Sequence, residues 1–389
     1  MGASELLGNL TVLCVEQAVS LPYCTWRLAV DGVNVIRVES QIGDPNRRVG
    51  KKILDEELMN SYFLSVNAGK KSITLNLKSD MGKEILWKLV EKLDVDIFAT
   101  NQLPHNYGKL GIGYEQLKAI KKDMIWVGVS GFGPERSEAA YDPMIQAYSG
   151  IMDTNGEPDS EPLKFGVSIA DIEAANQAYS EIMKALLHRE MTGEGSRIDI
   201  SMLECCMSLL ALHIPMAGLG LAMTKSGNAH PIFSPVGVYK TADGYVSIAV
   251  GNDAQWEAIV NCQGFETLNK PEYKTNNQRK TNEEQMDKEL KEVMSGMKTE
   301  DVLSQFRIVK IPISRVNLVP DVLKDPYMNS KLLTIKDPKS ELSVSLAPPP
   351  VTTQSKVTLK FPPRIGEHNQ EIYSSIGYNM DELKENGII

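Results

Sequence analysis

Cysteine is scarce in this 389-residue chain. The five residues (Cys14, Cys24, Cys205, Cys206, Cys262) are odd in number and show no CxxC spacing. That fits reduced thiols in a cytoplasmic setting better than a disulfide framework. Basic charge is also short, with 41 Lys and Arg against 50 Asp and Glu, a net charge of −9. Nucleic acid and anionic membranes are therefore not expected as partners. No uninterrupted apolar run is long enough to span a bilayer, because His213 and Pro215 break the most apolar stretch, 207–223. That stretch reads as a buried helix followed by a turn. The opening MGASELLGNLTVL lacks the basic segment of a signal peptide, and Leu6 stands where myristoylation needs Ser or Thr. The expected location is the cytoplasm.

Several catalytic signatures are missing too. In GVSGFG (128–133), Phe132 occupies the second glycine of a nucleophile elbow. No GxGxxG follows a strand, and NAGKKS (67–72) lacks the upstream glycine of a phosphate loop. His105, His188, His213, His230 and His368 are scattered, so the spacing offers no metal cluster. There is no internal repeat and no low-complexity segment.

What the first half does contain is alternation. LTVLCVEQ (10–17), VNVIRVES (33–40), KSITLNL (71–77), VDIFAT (95–100) and MIWVGVSGFG (124–133) read as strands. Helical segments separate them: Pro22 to Ala29, then 79–93 with Ser79 as N-cap, then 114–120. Such alternation predicts a parallel sheet covered by helices on both faces. A long helix follows, striped by Ile172, Ala175, Tyr179, Ile182, Met183 and Leu186, and stops at Thr192-Gly193. RIDISMLECC then reads as a strand turning into a helix. Residues 225–330 change in texture, with a hairpin signal at Ala242-Asp243-Gly244 and polar helices after it. These patterns predict a small α+β domain at 225–330. The large domain then comprises 1–205 and 335–389, with linkers at 206–224 and 331–334. The Pro-rich 347–351 stretch and the tail after it are expected to pack back on the large domain. Residues alone go no further than a small-molecule site where the strands end.

One residue asks for more. In GVSIADIEAANQA (166–178), Asp171 sits where an extended run becomes a helix. Carboxylates favour helix N-termini, so Asp171 reads as a cap; an ionised carboxylate in a pocket is also a nucleophile. The two readings are compatible.

A resemblance to class III CoA-transferases rests on segments in one register along nearly the whole chain. They are VNVIRVES with GDPNR, NAGKKSITLNLKSDMGKEIL, TNQLPHNYGKLGIGYEQL, GFGPE and YDPMIQAYSGIMDTNG. After them come IADIEAANQAYSEIMKALLHREMTGEGSRIDISML, PVGVYKTADGYVSIAVGND and RIGEHNQEIYSSIGY. The fold this resemblance implies is α/β, with a doubly wound parallel, Rossmann-like large domain, a smaller α+β domain and an interlocked dimer. The dimer is expected to pair identical chains or to join a related subunit. The implied activity is transfer of CoA from an acyl-CoA to a small carboxylic acid, with coenzyme A as substrate and no cofactor or metal. Asp171 aligns with the family nucleophile. It would pass through an acyl-aspartyl anhydride and an aspartyl-CoA thioester, its helix dipole keeping it ionised and its amides holding an oxyanion.

The same resemblance places CoA contacts on Leu75, Asn76, Leu77 and Lys78, on Asn101, Gln102 and Leu103, on Lys109, and on Ala140, Tyr141 and Asp142. Lys78 and Lys109 would meet the CoA phosphates, and backbone around Asn101 would frame the adenine. The chain departs from the family where NQLPH replaces NFRPG, putting Leu103 and His105 for a basic residue and a glycine. Ala175 replaces a glycine common on the catalytic helix, an expected crowding of the pocket. Residues 207–235, with Met202, Met207, Met216 and Met223, are expected near the acyl group or in the core. Two alternatives share the fold. An alpha-methylacyl-CoA racemase needs a second base where this chain has Tyr141. A non-catalytic CoA-binding subunit would bind without turnover.

Overall fold

The structure is a computed structural model that describes residues 6–136, 138–348 and 358–389. The first five residues of the opening segment and residues 349–351 of the Pro-rich stretch lie outside the described residues. The chain forms two compact units. One comprises 1–151, 164–211 and 331–389; the other comprises 152–163 and 212–330.

The first unit is built on six strands: β1 (Thr11–Val15), β2 (Asn34–Glu39), β3 (Lys71–Thr74), β4 (Ile97–Thr100), β5 (Ile125–Ser130) and β6 (Ser196–Ser201). All are parallel, in the order β3-β2-β1-β4-β5-β6. This is the Rossmann order, in which successive strands are added outward on one side of β1 and then, from β4, on the other. Strands β1 to β5 are buried almost throughout because helices cover both faces, whereas the edge strand β6 is buried only at Ile200 and Ser201.

Helix α1 (Ser20–Val30) and helix α4 (Ile169–Thr192) cover one face with α5 (Met202–Ser208). Helix α4 buries Ala170, Ala174, Ala175, Ala178, Ile182 and Ala185, and ends at Gly193 with φ of 74°. Of the stripe expected on it, Ala175 and Ile182 are fully buried, while Tyr179, Met183 and Leu186 are only partly so. Small side chains at three- and four-residue steps set this face, since they let neighbouring backbone approach closely. Helix α2 (Asp80–Lys92) covers the opposite face with Ile85, Leu86, Leu89 and Val90. Each such leucine contributes about 1.5–3 kcal/mol on burial. The Ser79 hydroxyl caps α2 by accepting the Gly82 N–H at 3.0 Å.

Strand β3 is the sheet edge, and the tail blocks it. His368 N–H donates to the Ser72 carbonyl, Ser72 N–H donates to His368 Nδ1, and the Tyr373 hydroxyl donates to the Thr74 carbonyl at 2.6 Å. An edge occupied in this way cannot pair with another strand.

The second unit has its own core around Tyr239, Val246, Ile248, Trp256, Phe265 and Phe306. Strands β7 (Val236–Lys240), β8 (Tyr245–Ala249) and β9 (Ile313–Arg315) form an antiparallel sheet. The β7–β8 turn is the expected hairpin, closed by the Thr241 N–H to the Gly244 carbonyl at 2.9 Å.

The 207–223 stretch differs from its reading as a buried helix. The helix His213–Gly218 contains no buried residue, and Leu212 and Leu219 are 72% and 70% exposed. Apolarity recorded the need for a cover and not where the cover lies.

Candidate active site

Asp171 occupies the third position of α4, after Ser168, whose side chain makes no cap hydrogen bond. The cap comes from elsewhere. Asp142 opens α3 (Asp142–Ser149), and its Oδ1 accepts the N–H of Ala170 at 2.8 Å and that of Asp171 at 3.3 Å. Its other oxygen accepts Gln146 Nε2 at 2.5 Å, and Gln146 Oε1 accepts the Phe165 N–H at 2.9 Å. One carboxylate and one amide thus pin the 165–171 segment against α3.

The Asp171 carboxylate is left half-buried and free of that duty. Burial first, and the neighbouring Asp142 charge second, push its pKa up to about 7. Desolvation and a like charge thus oppose the ionisation that the helix dipole is expected to favour. The expectation that first-turn amides hold an oxyanion is corrected, because the Ala170 and Asp171 amides already donate to Asp142.

A second feature lies at the C-terminal ends of β1, β2 and β3, beside the point where strand order reverses. It is a cleft of about 530 Å3 lined by residues including Glu16, Gln17, Asp44, Leu75 to Lys78, and Gln102. Open α/β sheets bind ligands at this place. Its floor is charged. Glu16, Glu39 and Asp44 face Arg37, Arg47 and Lys70, all six fully or nearly fully buried. Arg37 meets Asp44 at 2.7 Å, Arg47 meets Glu39 at 2.6 Å, and Lys70 meets Glu16 at 2.8 Å. Burial alone would raise Glu39, but Arg37, Arg47 and Ser72 overcome it and hold its pKa down at about 2. Burial likewise opposes Glu16, which Lys70 and Arg37 hold below the usual range. Three anions and three cations cancel, so the floor is neutral and rigid.

A more open depression of about 880 Å3 runs along helix Glu283–Ser295 in the second unit. Its walls are solvated side chains such as Lys288, Lys291 and Glu292, with no apolar floor.

Known proteins resemble this chain closely. Residues 7–369 match the model of CoA-transferase family III. The chain belongs to CoA-transferase family III. It is 31% identical to succinyl-CoA:mesaconate CoA-transferase of Haloarcula marismortui over 97% of each chain. It is 30% identical to succinate–glutarate CoA-transferase of Agrobacterium fabrum over 95% of each. A formyl-CoA:oxalate CoA-transferase of Streptomyces coelicolor is 29% identical over 99% of this chain and all of its own. Among solved structures, a CAIB/BAIF family protein from Brucella suis superposes with a TM-score of 0.85 at 33% identity. That match covers 94% of this chain and 98% of the other.

In this family III transferase, the residues singled out by sequence fall into two groups. Leu75, Asn76, Leu77 and Lys78 wrap one wall of the cleft, and Gln102 stands on another. The wall depends on Gly82, since a Cβ there would overlap the Asn76 backbone carbonyl. Asn101 adjoins the cleft through Gln17, to which its side chain is bonded at 3.0 and 2.8 Å. Leu103 leads into a short turn at Pro104–Asn106, and Lys109 is exposed beside Leu110, which lines the cleft. Ala140, Tyr141, Asp142 and Asp171 form the other group and do not line this cleft. Tyr141 is 72% exposed.

The glycine-to-alanine departure on the nucleophile helix has a plain location. Ala175 is fully buried in the core beside Ala174 and Ala178, so its methyl lines no cleft. Met202 is buried there too, while Met207 is exposed. Glu16, Gln17, Asp44 and Gln146 were not singled out by sequence, although LTVLCVEQ, GDPNR and YDPMIQAYSG contain them.

Proposed function

We propose that this protein moves CoA from an acyl-CoA to a free carboxylic acid through covalent intermediates on Asp171. The observation that carries this reading is the Asp171 carboxylate itself. It lies in the first turn of α4, is released from capping by Asp142, and has its pKa pushed up to about 7 by burial and the Asp142 charge. A carboxylate poised there is ionised in a large fraction of molecules at neutral pH, yet poorly solvated and so a good nucleophile.

The cycle balances without water or redox change. An ionised Asp171 oxygen attacks the thioester carbonyl, the C–S bond breaks, and CoA thiolate leaves an acyl-aspartyl anhydride. The thiolate then attacks the aspartyl carbonyl, expelling the first carboxylate and leaving an aspartyl-CoA thioester. The acceptor carboxylate attacks that thioester and forms a new anhydride, and the returning thiolate takes the new acyl group. Asp171 ends as it began. Every intermediate is an anhydride or thioester, so no step falls into the well of a stable ester. Coenzyme A is substrate throughout, and the cycle calls for no metal.

The same reading puts the CoA nucleotide in the cleft, against Leu75 to Lys78, Asn101 to Leu103 and Lys109, with Ala140 to Asp142 nearer the thioester. Lys78 and Lys109 are exposed cations able to meet phosphate. Relatives named for mesaconate, glutarate and oxalate all act on dicarboxylates, which supports a short dicarboxylic acid as acceptor. Exposed apolar side chains on each unit, among them Tyr148 and Leu187 on one and Leu219 and Leu221 on the other, support an interlocked dimer.

Mixing enzyme with succinyl-CoA and no acceptor tests the mechanism. Part of the protein should carry CoA, and hydroxylamine or borohydride should inactivate only that preparation. Digestion should place the modification in GVSIADIEAANQAYSEIMK, residues 166–184. Modification at any other residue overturns the assignment. Acceptors are then ranked by mass spectrometry of the CoA esters formed.

A further inference from the structure

The turn after β1 is held in an unusual way. Ala18 has φ of 62°, in the left-handed region that a side chain disfavours. Its neighbour Gln17 lines the cleft. All four backbone polar groups of this dipeptide are met by side chains. Asn101 Oδ1 accepts the Gln17 N–H at 3.0 Å, and Asn101 Nδ2 donates to the Gln17 carbonyl at 2.8 Å. From the opposite side, Asp44 Oδ1 accepts the Ala18 N–H at 3.4 Å, and Asn46 Nδ2 donates to the Ala18 carbonyl at 2.9 Å.

These partners are themselves fixed. Asp44 accepts the Asn46 N–H at 2.8 Å, and its second oxygen is bound by Arg37 at 2.7 Å. The Asp44 N–H donates to Glu39 at 3.0 Å, which joins the clamp to the buried charges under the cleft. A left-handed residue with a Cβ persists only where its surroundings over-determine it. Here the over-determination is visible, and it sits where strand order reverses.

We infer that Asn101 and Asn46 are positioning residues which clamp the Gln17–Ala18 turn in its left-handed form and so shape the cleft for coenzyme A. The inference rests on the cleft's being the CoA site. The Asn101 side chain is engaged by the turn through both its oxygen and its nitrogen. With the clamp open, Ala18 relaxes to negative φ and Gln17 leaves the cleft wall. Glycine adopts the left-handed form as readily as the right-handed one. Ala18→Gly therefore offsets the loss of a clamp residue, which it could not do for a residue that touches the ligand directly.

The experiment is calorimetric titration of coenzyme A itself into the wild type, Asn101→Ala, Ala18→Gly and the double variant. Asn101→Ala should bind about tenfold more weakly, and the double variant should recover at least about threefold of that. Asn46→Ala, which lies outside the cleft lining, should weaken binding with the same rescue, and it carries the comparison if Asn101→Ala does not fold. Unchanged binding in either folded clamp variant, or a double variant no tighter than its clamp parent, overturns the inference. A wild type that binds no coenzyme A overturns the transferase reading instead, so the two failures are distinguishable.

Discussion

The Asp142 carboxylate caps the helix that carries Asp171, across 29 residues of sequence and from the first position of another helix. Two consequences follow from one contact. Asp171 need not serve as the cap, and a negative charge is placed beside it that resists its ionisation. The segment that presents the nucleophile and the charge that tunes it are thus set by the same side chain.

The pH dependence of kcat/KM reports the free enzyme's essential groups. It should rise with pH and level off above about 7, lying about tenfold below the plateau one unit under that pKa. Asp142→Asn keeps an acceptor oxygen for the Ala170 amide and removes the charge, so the rise should move to lower pH. A profile flat between pH 5 and 8 in the wild type would contradict this.

Asp171→Asn should abolish turnover while leaving CoA binding in place. Its effect on stability has a definite sign. The folded pKa lies above the ordinary value of 3.8, so the wild type loses stability as pH rises from about 4 to about 7. The neutral amide escapes that loss. In thermal melts the variant's Tm advantage should grow across this window and stay constant above it; an advantage that shrinks with rising pH would reverse the assignment.

Gly82→Ala places a methyl group against the Asn76 carbonyl. Relief requires the Leu75–Lys78 wall to move, at a cost of about 1–3 kcal/mol in stability. The KM for the CoA ester should rise severalfold with the KM for the free acid unchanged. Equal changes in both would mean that this wall does not touch CoA.

Glu39→Gln leaves Arg37 and Arg47 buried beside a neutral group and should cost about 3–5 kcal/mol in urea unfolding. The wild type should show the matching acid lability. Glu39 has a depressed pKa, so its contribution is complete above about 4.5 and fades as pH falls toward about 2. Proton uptake on unfolding in that window is the direct measure.

Much of the large unit is legible without coordinates. LTVLCV and VNVIRVE are strands because a sheet covered on both faces demands apolar side chains in both directions. Ser79 announces a helix because a hydroxyl can accept its own helix's amide three residues on. Local chemistry of this kind needs no knowledge of what lies across the fold. The stretch 207–223 shows the limit. Its apolar composition is plain, yet Leu212 and Leu219 are exposed, because hydrophobicity is a property of a side chain and burial is a property of its surroundings.

By itself the sequence determined the alternating strands and helices, the family register, and the place of Asp171 at a helix start. Only the tertiary structure decided what Asp171 is free to do. Asp142, itself held by Gln146, reaches its helix start through space, Asn101 reaches Gln17 across 84 residues, and Arg37 lies within 4.0 Å of Glu16, Glu39 and Asp44. Hydrogen bonds and charges act over a few ångströms whatever the chain separation. Periodicity and capping preferences act only between neighbours along the chain, so they find the elements and leave their meeting to the fold.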